Sequence, residues 1–252
     1  MANRVFITGD THGPSEIGRL APALAAVPGL DKQDYLVVCG DFGLVWADCS
    51  KYSYWLRWLD RKPYTTLFVD GNHENFDMLD ALPAQRWHGG LVHRINDSVL
   101  HLMRGQAFDI AGRSFFCMGG ARSVDKAWRT PHESWWPQEM PSAHEREAAL
   151  TTLDACGWRV DYVLTHCAAS TVQHRLNPLY DNDELTCFLA DIERRLEYRH
   201  WFFGHYHEDR DIDARQTAVF EDVIEIVPRA EGEDGLRRVF RAPNPASVHV
   251  AP

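Results

Sequence analysis

The stretch VFITGDTHG, residues 5–13, joins a short apolar run to a cluster of polar residues and glycines. A short run rich in Val, Ile and Phe that ends in such a cluster is typical of a β-strand buried on both faces. The same arrangement returns in runs that start at Tyr35, Thr66, Tyr162 and Trp201 and lead to GDFG, DGNHE, THC and GHYH. These runs are the predicted central strands of the fold.

The residues between these strands show helical periodicity. Helices are predicted at residues 16–27, 52–61, 143–156 and 183–199. Ser142 and Glu145 form a candidate capping box for the third helix. Residues 98–118 and 209–241 instead read as short strands separated by glycine turns, and the acidic residues 220–235 are expected to be an exposed strand and turn. The pattern predicts an α/β fold, a four-layer α/β/β/α sandwich of two mixed sheets flanked by helices.

Size and composition fit one large domain. The chain has 252 residues with 45% hydrophobic content, and we expect a single domain at 1–245 followed by a loose tail at 246–252. The net charge of -10 argues against a surface that coats nucleic acid or anionic membranes. The six cysteines form no CxxC pair, and no apolar stretch has the length of a membrane span, so a reducing, cytoplasmic location is predicted.

Polar side chains with nitrogen or oxygen donors follow each predicted strand. They are Asp10, His12, Asp41, Asn72, His73, His166, His205 and His207. The carboxyl ends of strands are where α/β proteins build their sites, so these side chains are expected to converge. The donors suit Mn, Fe, Zn, Ni or Co. They are too many for one ion and about right for two, which together can clamp the attacking and leaving oxygens of a phosphoryl displacement, with Asp41 as the bridge.

The five clusters GDTHG, GDFG, GNHE, TH and GHYH, in this order, resemble the calcineurin-like metallophosphoesterase superfamily. The resemblance spans positions 9–207 and implies a site with two divalent or transition metal ions, Mn first and Fe, Zn, Ni or Co as alternatives. One ion would be held by Asp10, His12 and His207, the other by Asn72, His166 and His205, and Asp41 would bridge. We expect strand alternation to direct His205 and His207 apart.

The same resemblance assigns catalysis to His73, with Asn72 beside it. His73 would not bind metal but would stabilise the transition state or protonate the leaving oxygen. The reaction implied is in-line attack on phosphorus by a hydroxide that bridges the two ions. A histidine has the pKa that such acid–base work needs.

The chain departs from the phosphatases of the superfamily at one motif. Those carry GDxVDRG, whose Arg contacts phosphate and whose Asp supports the motif histidine, whereas this chain has GDFGLVWAD, in which Asp48 is a candidate substitute for the Asp. The Trp-rich loop, residues 119–142, is long and basic enough to supply a replacement for the Arg. We predict that it contacts substrate through Arg122, Lys126 and Trp128; the alternative is that its tryptophans only cover the core.

These features predict a phosphodiesterase that acts on nucleotide-like or other small phosphodiesters. The alternatives are a phosphomonoesterase, including a protein or nucleotide phosphatase, and a non-catalytic scaffold of the same fold. The expected partner is a small phosphoester substrate, with no membrane and no dedicated nucleic-acid surface. The sequence leaves the oligomeric state open.

Overall fold

The computed structural model describes residues 3–228 and 234–241. Its strands are β1 (Val5–Thr8), β2 (Tyr35–Cys39), β3 (Thr65–Val69), β4 (Ala84–Trp87), β5 (Gly90–Asn96), β6 (Val99–Leu102), β7 (Gln106–Ile110), β8 (Arg113–Met118), β9 (Tyr162–Thr165), β10 (His200–Phe203), β11 (Arg210–Asp211), β12 (Gln216–Ala218), β13 (Val223–Pro228) and β14 (Asp234–Phe240). The α-helices are α1 (Leu20–Ala25), α2 (Ser50–Asp60), α3 (Phe76–Asp80), α4 (Ala143–Ala155), α5 (Ser170–Leu176) and α6 (Glu184–Glu193). Short 3₁₀ helices lie at Gly13–Ser15, Ile17–Arg19, Lys126–Trp128 and Pro137–Glu139.

The strands form two mixed sheets. The larger has the order β14-β13-β1-β2-β3-β6-β5-β4, with β1, β2, β3 and β6 parallel and antiparallel strands at both edges. The smaller has the order β11-β12-β10-β9-β8-β7, with a parallel centre of β12, β10, β9 and β8. The five apolar runs predicted from the sequence are β1, β2 and β3 of the larger sheet and β9 and β10 of the smaller.

Alternate residues of each central strand enter different cores, as the two-residue period of a strand requires. In β1, Val5 and Ile7 face the core between the sheets, whereas Phe6 packs in the outer core beneath α1 and α2. The smaller sheet likewise packs Phe203 beneath α4, α5 and α6. The result is a four-layer α/β/β/α sandwich, so the predicted fold class is confirmed.

Several predicted elements differ from the structure. The stretch 98–118 is divided between the sheets, because β6 pairs with β3 while β7 and β8 form a hairpin in the smaller sheet. The helix predicted at 183–199 ends at Glu193. The strand expected to be exposed, β13, is largely buried between β1 and β14, where Arg4 and Arg237 form ion pairs with its Glu225. The tail predicted at 246–252 lies outside the described residues.

The capping box appears as predicted. Ser142 and Glu145 form a reciprocal capping box at the start of α4. All six cysteines are unpaired. Within the described ranges, no helix has both the length and the apolar character needed to cross a membrane.

Candidate metal centre

The predicted ligands follow strand ends that meet at one edge of the sandwich. Asp10, Asp41 and Asn72 follow β1, β2 and β3 of the larger sheet, and His166 and His205 follow β9 and β10 of the smaller one. Because all five strands are parallel within their sheets, their carboxyl ends deliver these side chains to a common place.

The backbone at this edge adopts unusual conformations. Four of the predicted ligands have left-handed φ angles: His12 (39°), Asp41 (47°), His205 (70°) and His207 (51°). A non-glycine residue in this region is strained by about 1–3 kcal/mol and persists only where its surroundings enforce it. Four of the eight described non-glycine residues with left-handed φ angles lie at this edge, and such conformations are common at functional sites.

His205 and His207 both lie beyond β10, which ends at Phe203. The expectation that strand alternation separates them is wrong, because residues two apart in a strand share a face and neither residue belongs to the strand. Their left-handed turns separate them instead. The ring of His205 lies 5.0 Å from that of His166 between centroids, whereas His207 Nε2 lies 3.1 Å from Asp10 Oδ2.

The first group consists of Asp10, His12 and His207. One ligand atom from each of these residues and from Asp41 lies within 4.8 Å of the others. His12 Nε2 is 3.5 Å from Asp41 Oδ2, and its Nδ1 is 3.0 Å from Glu16 Oε2. Burial lowers the pKa of His12, but its hydrogen bonds to Asp41 and Glu16 outweigh burial and raise the pKa to about 9. The first group therefore lies in a region that attracts positive charge.

The second group consists of Asn72, His166 and His205. His166 Nδ1 donates to the carbonyl of Cys39 over 2.9 Å, which directs Nε2 toward the site. Nε2 lies 3.1 Å from Asn72 Oδ1 and 3.3 Å from Asp41 Oδ1. A ring nitrogen, an amide oxygen and a carboxylate oxygen converge there, and together they are a donor set suited to a metal cation. Burial, together with the neighbouring His166, lowers the pKa of His205 to about 4, which leaves its imidazole neutral and able to bind metal.

Asp41 lies between the two groups. Its Oδ1 faces His166 of the second group, and its Oδ2 faces His12 of the first. Burial opposes ionisation of Asp41, but His166, His12 and His73 together hold its pKa well below the usual range. The carboxylate is therefore charged and offers one oxygen to each side.

The loops that carry the ligands are fixed by tight contacts. A side chain at Gly71 would place Cβ 2.1 Å from Asp41 Oδ1, so only glycine fits there. Glu74 accepts hydrogen bonds from the N–H groups of Phe42 (2.7 Å) and Gly43 (3.1 Å), which ties the loop after β3 to the loop after β2. Arg19 was missed from the sequence; its guanidinium donates to the main-chain carbonyls of Asp10 and, over 2.7 Å, of Phe220.

His73 lies at the open side of the centre. Its main-chain N–H donates to Asp41 Oδ1 over 2.7 Å, and its ring Nε2 is 4.0 Å from Asp41 Oδ2. Two guanidinium nitrogens of Arg129 lie 3.2 and 3.1 Å from the two ring nitrogens, so the guanidinium lies across the imidazole. Burial lowers the pKa of His73, and the charge of Arg129 lowers it further against the opposing charge of Asp41.

Arg129 is the functional candidate that sequence reasoning missed. Its Nε lies 2.8 Å from Asp125 Oδ1, and its NH1 donates to the carbonyl of Ser134, so the Trp-rich loop presents it in a fixed position. The sequence evidence for Arg129 was weak, because Arg129 is one of several basic residues in a loop whose path cannot be read from the sequence. Asp48, the candidate support for His73, is exposed, whereas the side chain of His73 contacts Arg129, Asp41 and the ring of His12.

The predicted substrate contacts have different positions in the structure. Arg122 lines a cavity of about 410 Å³ together with His205 and His207. Lys126 and Trp128 do not line it: the Lys126 ammonium lies 5.6 Å from the centre of the Trp135 ring, and Trp128 is 91% exposed. Trp136 is buried and donates to Asp77, so this tryptophan does cover the core.

The cavity beside the ligands has an aromatic wall. Tyr206 forms part of it, and its hydroxyl donates to Gln173 Oε1 over 3.1 Å. The ring of Tyr180 lies 5.4 Å from that of Tyr206 between centroids. A second cavity of about 490 Å³, lined by Asp70, Arg104 and other residues, contains none of the predicted ligands.

A comparison with known families agrees with the motifs. The family profile described as calcineurin-like phosphoesterase matches residues 3–209 of the chain. The chain belongs to the calcineurin-like phosphoesterase family. This is a metal-dependent family of metallophosphoesterases, and the Asp and His cluster of this calcineurin-like phosphoesterase can bind metal.

Solved structures similar to this calcineurin-like phosphoesterase include two hydrolases. One is a serine/threonine phosphatase from Saccharomyces cerevisiae with similarity to human phosphatase PP5, at 13% identity and a TM-score of 0.43, with 97% of this chain and 82% of that chain covered. The other is the phosphopantetheinyl hydrolase of Mycobacterium tuberculosis, at 18% identity and a TM-score of 0.42, with coverage of 96% and 97%. No curated protein sequence matches the chain.

Proposed function

We propose that the chain is a dinuclear metallophosphoesterase that hydrolyses nucleotide-like or other small phosphodiesters. The observation that carries the proposal is the position of Asp41, which directs one carboxylate oxygen to His12 and the other to His166. A carboxylate between two sets of nitrogen and oxygen donors is what a pair of divalent ions needs as a bridge.

In this proposal the first group and the second group each hold one ion. Mn is the first expectation, with Fe, Zn, Ni and Co as alternatives, because imidazole, amide and carboxylate donors suit all of them. Two such ions would lower the pKa of water and neutralise charge on the phosphoryl oxygens. The hydrogen bond from His166 to the Cys39 carbonyl supports the assignment, because it orients the ring with Nε2 toward the site.

The proposed role of His73 is to hold a proton near the leaving oxygen. It is not among the metal donors, and it faces the open side of Asp41. Arg129 beside it would bind a phosphoryl oxygen, because a guanidinium donates through a planar fork that matches phosphate. Arg129 would thus replace the arginine that GDFGLVWAD lacks.

The preference for diesters rests on the cavity that His205 and His207 line. Its Tyr180 and Tyr206 offer an aromatic surface for an organic group, and its volume of about 410 Å³ is that of a small-molecule site. A phosphomonoesterase is the second candidate. The close approach of Arg129 to His73 favours it, because an arginine there could recognise a dianionic monoester.

A paired assay tests the function. We expect the chain to hydrolyse bis-p-nitrophenyl phosphate faster than p-nitrophenyl phosphate with Mn, to lose both activities after chelation, and to regain them when Mn is restored. Ni, Co, Zn and Mg should be compared, and elemental analysis should give about two ions per chain. A strong preference for the monoester would establish the second candidate. A chain that binds no metal and hydrolyses neither ester would instead be a scaffold.

Replacement of Arg129 by alanine tests the proposed phosphate contact. We expect kcat/KM to fall by about 10–100-fold, since a hydrogen bond to a charged group contributes about 1.5–3 kcal/mol. Arg129→Lys should recover part of the loss, because the charge remains but the fork does not. Steady-state kinetics with the preferred ester measure both effects.

Lys126→Ala is the matched control. It removes a cation from the same loop, but this cation lies against the Trp135 ring and not against His73. It should change kcat/KM by less than about twofold, as for a surface residue. Equal losses in Arg129→Ala and Lys126→Ala would mean that the loop contributes only a diffuse positive field, and the specific role of Arg129 would then be abandoned.

A further inference from the structure

A buried chain of hydrogen bonds connects the Trp-rich loop to the second group. It runs from Glu139 through Ser123 to Asn72. These three residues are 1%, 3% and 5% exposed, in that order. Ser123 donates its N–H to Glu139 Oε1 over 3.0 Å and its hydroxyl to Oε2 over 2.5 Å. Asn72 Nδ2 donates to the Ser123 hydroxyl oxygen over 3.2 Å. The Trp-rich loop is therefore hydrogen-bonded to Asn72, a predicted metal ligand.

The direction of each hydrogen bond in this chain follows from Glu139. A carboxylate can only accept, so the hydroxyl hydrogen of Ser123 must point toward it. The hydroxyl oxygen is then left to accept, and Asn72 satisfies it with its NH₂ group. This orientation leaves Asn72 Oδ1 facing His166 Nε2 and the acceptors of the second group. The opposite amide orientation would turn two hydrogens toward the place of a cation.

Glu139 has two bonds to explain: the one from the Ser123 N–H supports the loop itself, whereas the one from the Ser123 hydroxyl orders the group that meets Asn72. Among the described residues, no cation forms an ion pair with the side chain of Glu139. Burying an unpaired carboxylate is unfavourable, and here only the two hydrogen bonds from Ser123 offset it. An apolar residue would avoid that penalty but would leave the Ser123 N–H and hydroxyl without this acceptor.

We propose that Glu139 is a positioning residue that sets the amide of Asn72 so that its oxygen faces the second metal ion. The inference rests on the proposed function, in which Asn72 is a ligand of that ion. Glu139 acts through Ser123 and does not contact the metal. The Trp-rich loop thereby contacts the metal centre twice: through Glu139 and Ser123 at Asn72, and through Arg129 at His73.

The test is a metal titration of Glu139→Gln. In wild type the Ser123 N–H and hydroxyl use different oxygens of Glu139. An amide replaces one of these oxygens with an NH₂ donor, so one of the two Ser123 groups faces a donor and the chain of hydrogen bonds is interrupted. With the metal-depleted full-length protein and Mn²⁺ as the probe, calorimetry should show binding at one of the two positions weakened by about 10–100-fold. Affinity at the other position should change less, because Asp10, His12 and His207 lie outside this chain and only Asp41 is shared with the second group.

Two further variants keep the test independent of folding. Ser123→Ala removes the hydroxyl and should weaken the same position, whereas Ser123→Thr keeps a hydroxyl and should retain most of the affinity. Glu145→Gln is the matched control: Glu145 also accepts from a serine, Ser142, through both N–H and hydroxyl, but at an exposed helix cap. It should leave both metal affinities unchanged.

The outcomes separate this inference from the proposed function. Two unchanged affinities in folded Glu139→Gln and Ser123→Ala would overturn the role of Glu139 and leave the dinuclear assignment intact. A wild-type chain that binds no second ion would overturn both. Equal weakening at both positions would show a general loss of structure and would also overturn the positioning role.

Discussion

Replacing His73 with alanine is expected to lower kcat by about 10²–10⁴-fold while the metal content stays the same, since this is the range that acid–base catalysis supplies. The ring of His73 faces the open side of Asp41, and the hydrogen bond that His73 makes to Asp41 Oδ1 comes from its main chain, which alanine retains. The carboxylate between the two groups should therefore keep its position.

The choice of ester sharpens this prediction. A nitrophenolate leaves readily without a proton, whereas an alkoxide does not, so a proton donor matters more for an alkyl ester. The loss in His73→Ala should be larger for an alkyl ester than for a nitrophenyl ester if His73 is the acid. Equal losses would indicate that it stabilises charge on phosphorus instead. His132→Ala, which removes an exposed histidine that contacts Asp77, is the control and should retain wild-type kcat.

Replacing Asp41 with asparagine should have the other large effect. The variant keeps the size of the side chain but offers only one acceptor oxygen, so it cannot face His12 and His166 with equivalent oxygens. We expect metal content to fall from about two ions to at most one, and activity to fall by at least about 10³-fold, because metal ions contribute several kcal/mol to such reactions. Elemental analysis and the ester assay measure the two losses.

Asp77→Asn is the matched control for Asp41→Asn. Asp77 also accepts hydrogen bonds from an aromatic N–H and a histidine, but it lies at the start of α3 and lines no part of the metal centre. It should retain both metal ions. Full metal content in Asp41→Asn would remove the basis for a bridging carboxylate.

The positions of the candidate ligands were predictable because each one is local in sequence to the strand that positions it. An apolar run followed at once by a polar cluster identifies both the strand and its carboxyl end, as at β1 and Asp10. The strands then need only assemble in parallel for the side chains to meet. The fold class followed from the same alternation of strands and helices.

The supporting residues were not predictable, because their contacts depend on the paths of loops. Arg129 meets His73 across 56 positions of sequence, and Ser123 meets Asn72 across 51. Periodicity gives no information about such contacts, since the Trp-rich loop has only short 3₁₀ turns. The burial of β13 was hidden for a related reason: a strand glutamate looks exposed until its arginine partners are known.

The left-handed backbone at His12, Asp41, His205 and His207 restricts how this site can change over evolutionary time. Apart from glycine, the residues that tolerate this conformation best are Asn, Asp and His. These same three types carry the oxygen and nitrogen donors of the site. A substitution such as histidine to cysteine or aspartate to glutamate would keep a donor atom but lose that tolerance. The backbone conformation and the donor chemistry therefore favour the same small set of residues. Replacing them with softer donors such as cysteine would strain the backbone at these positions.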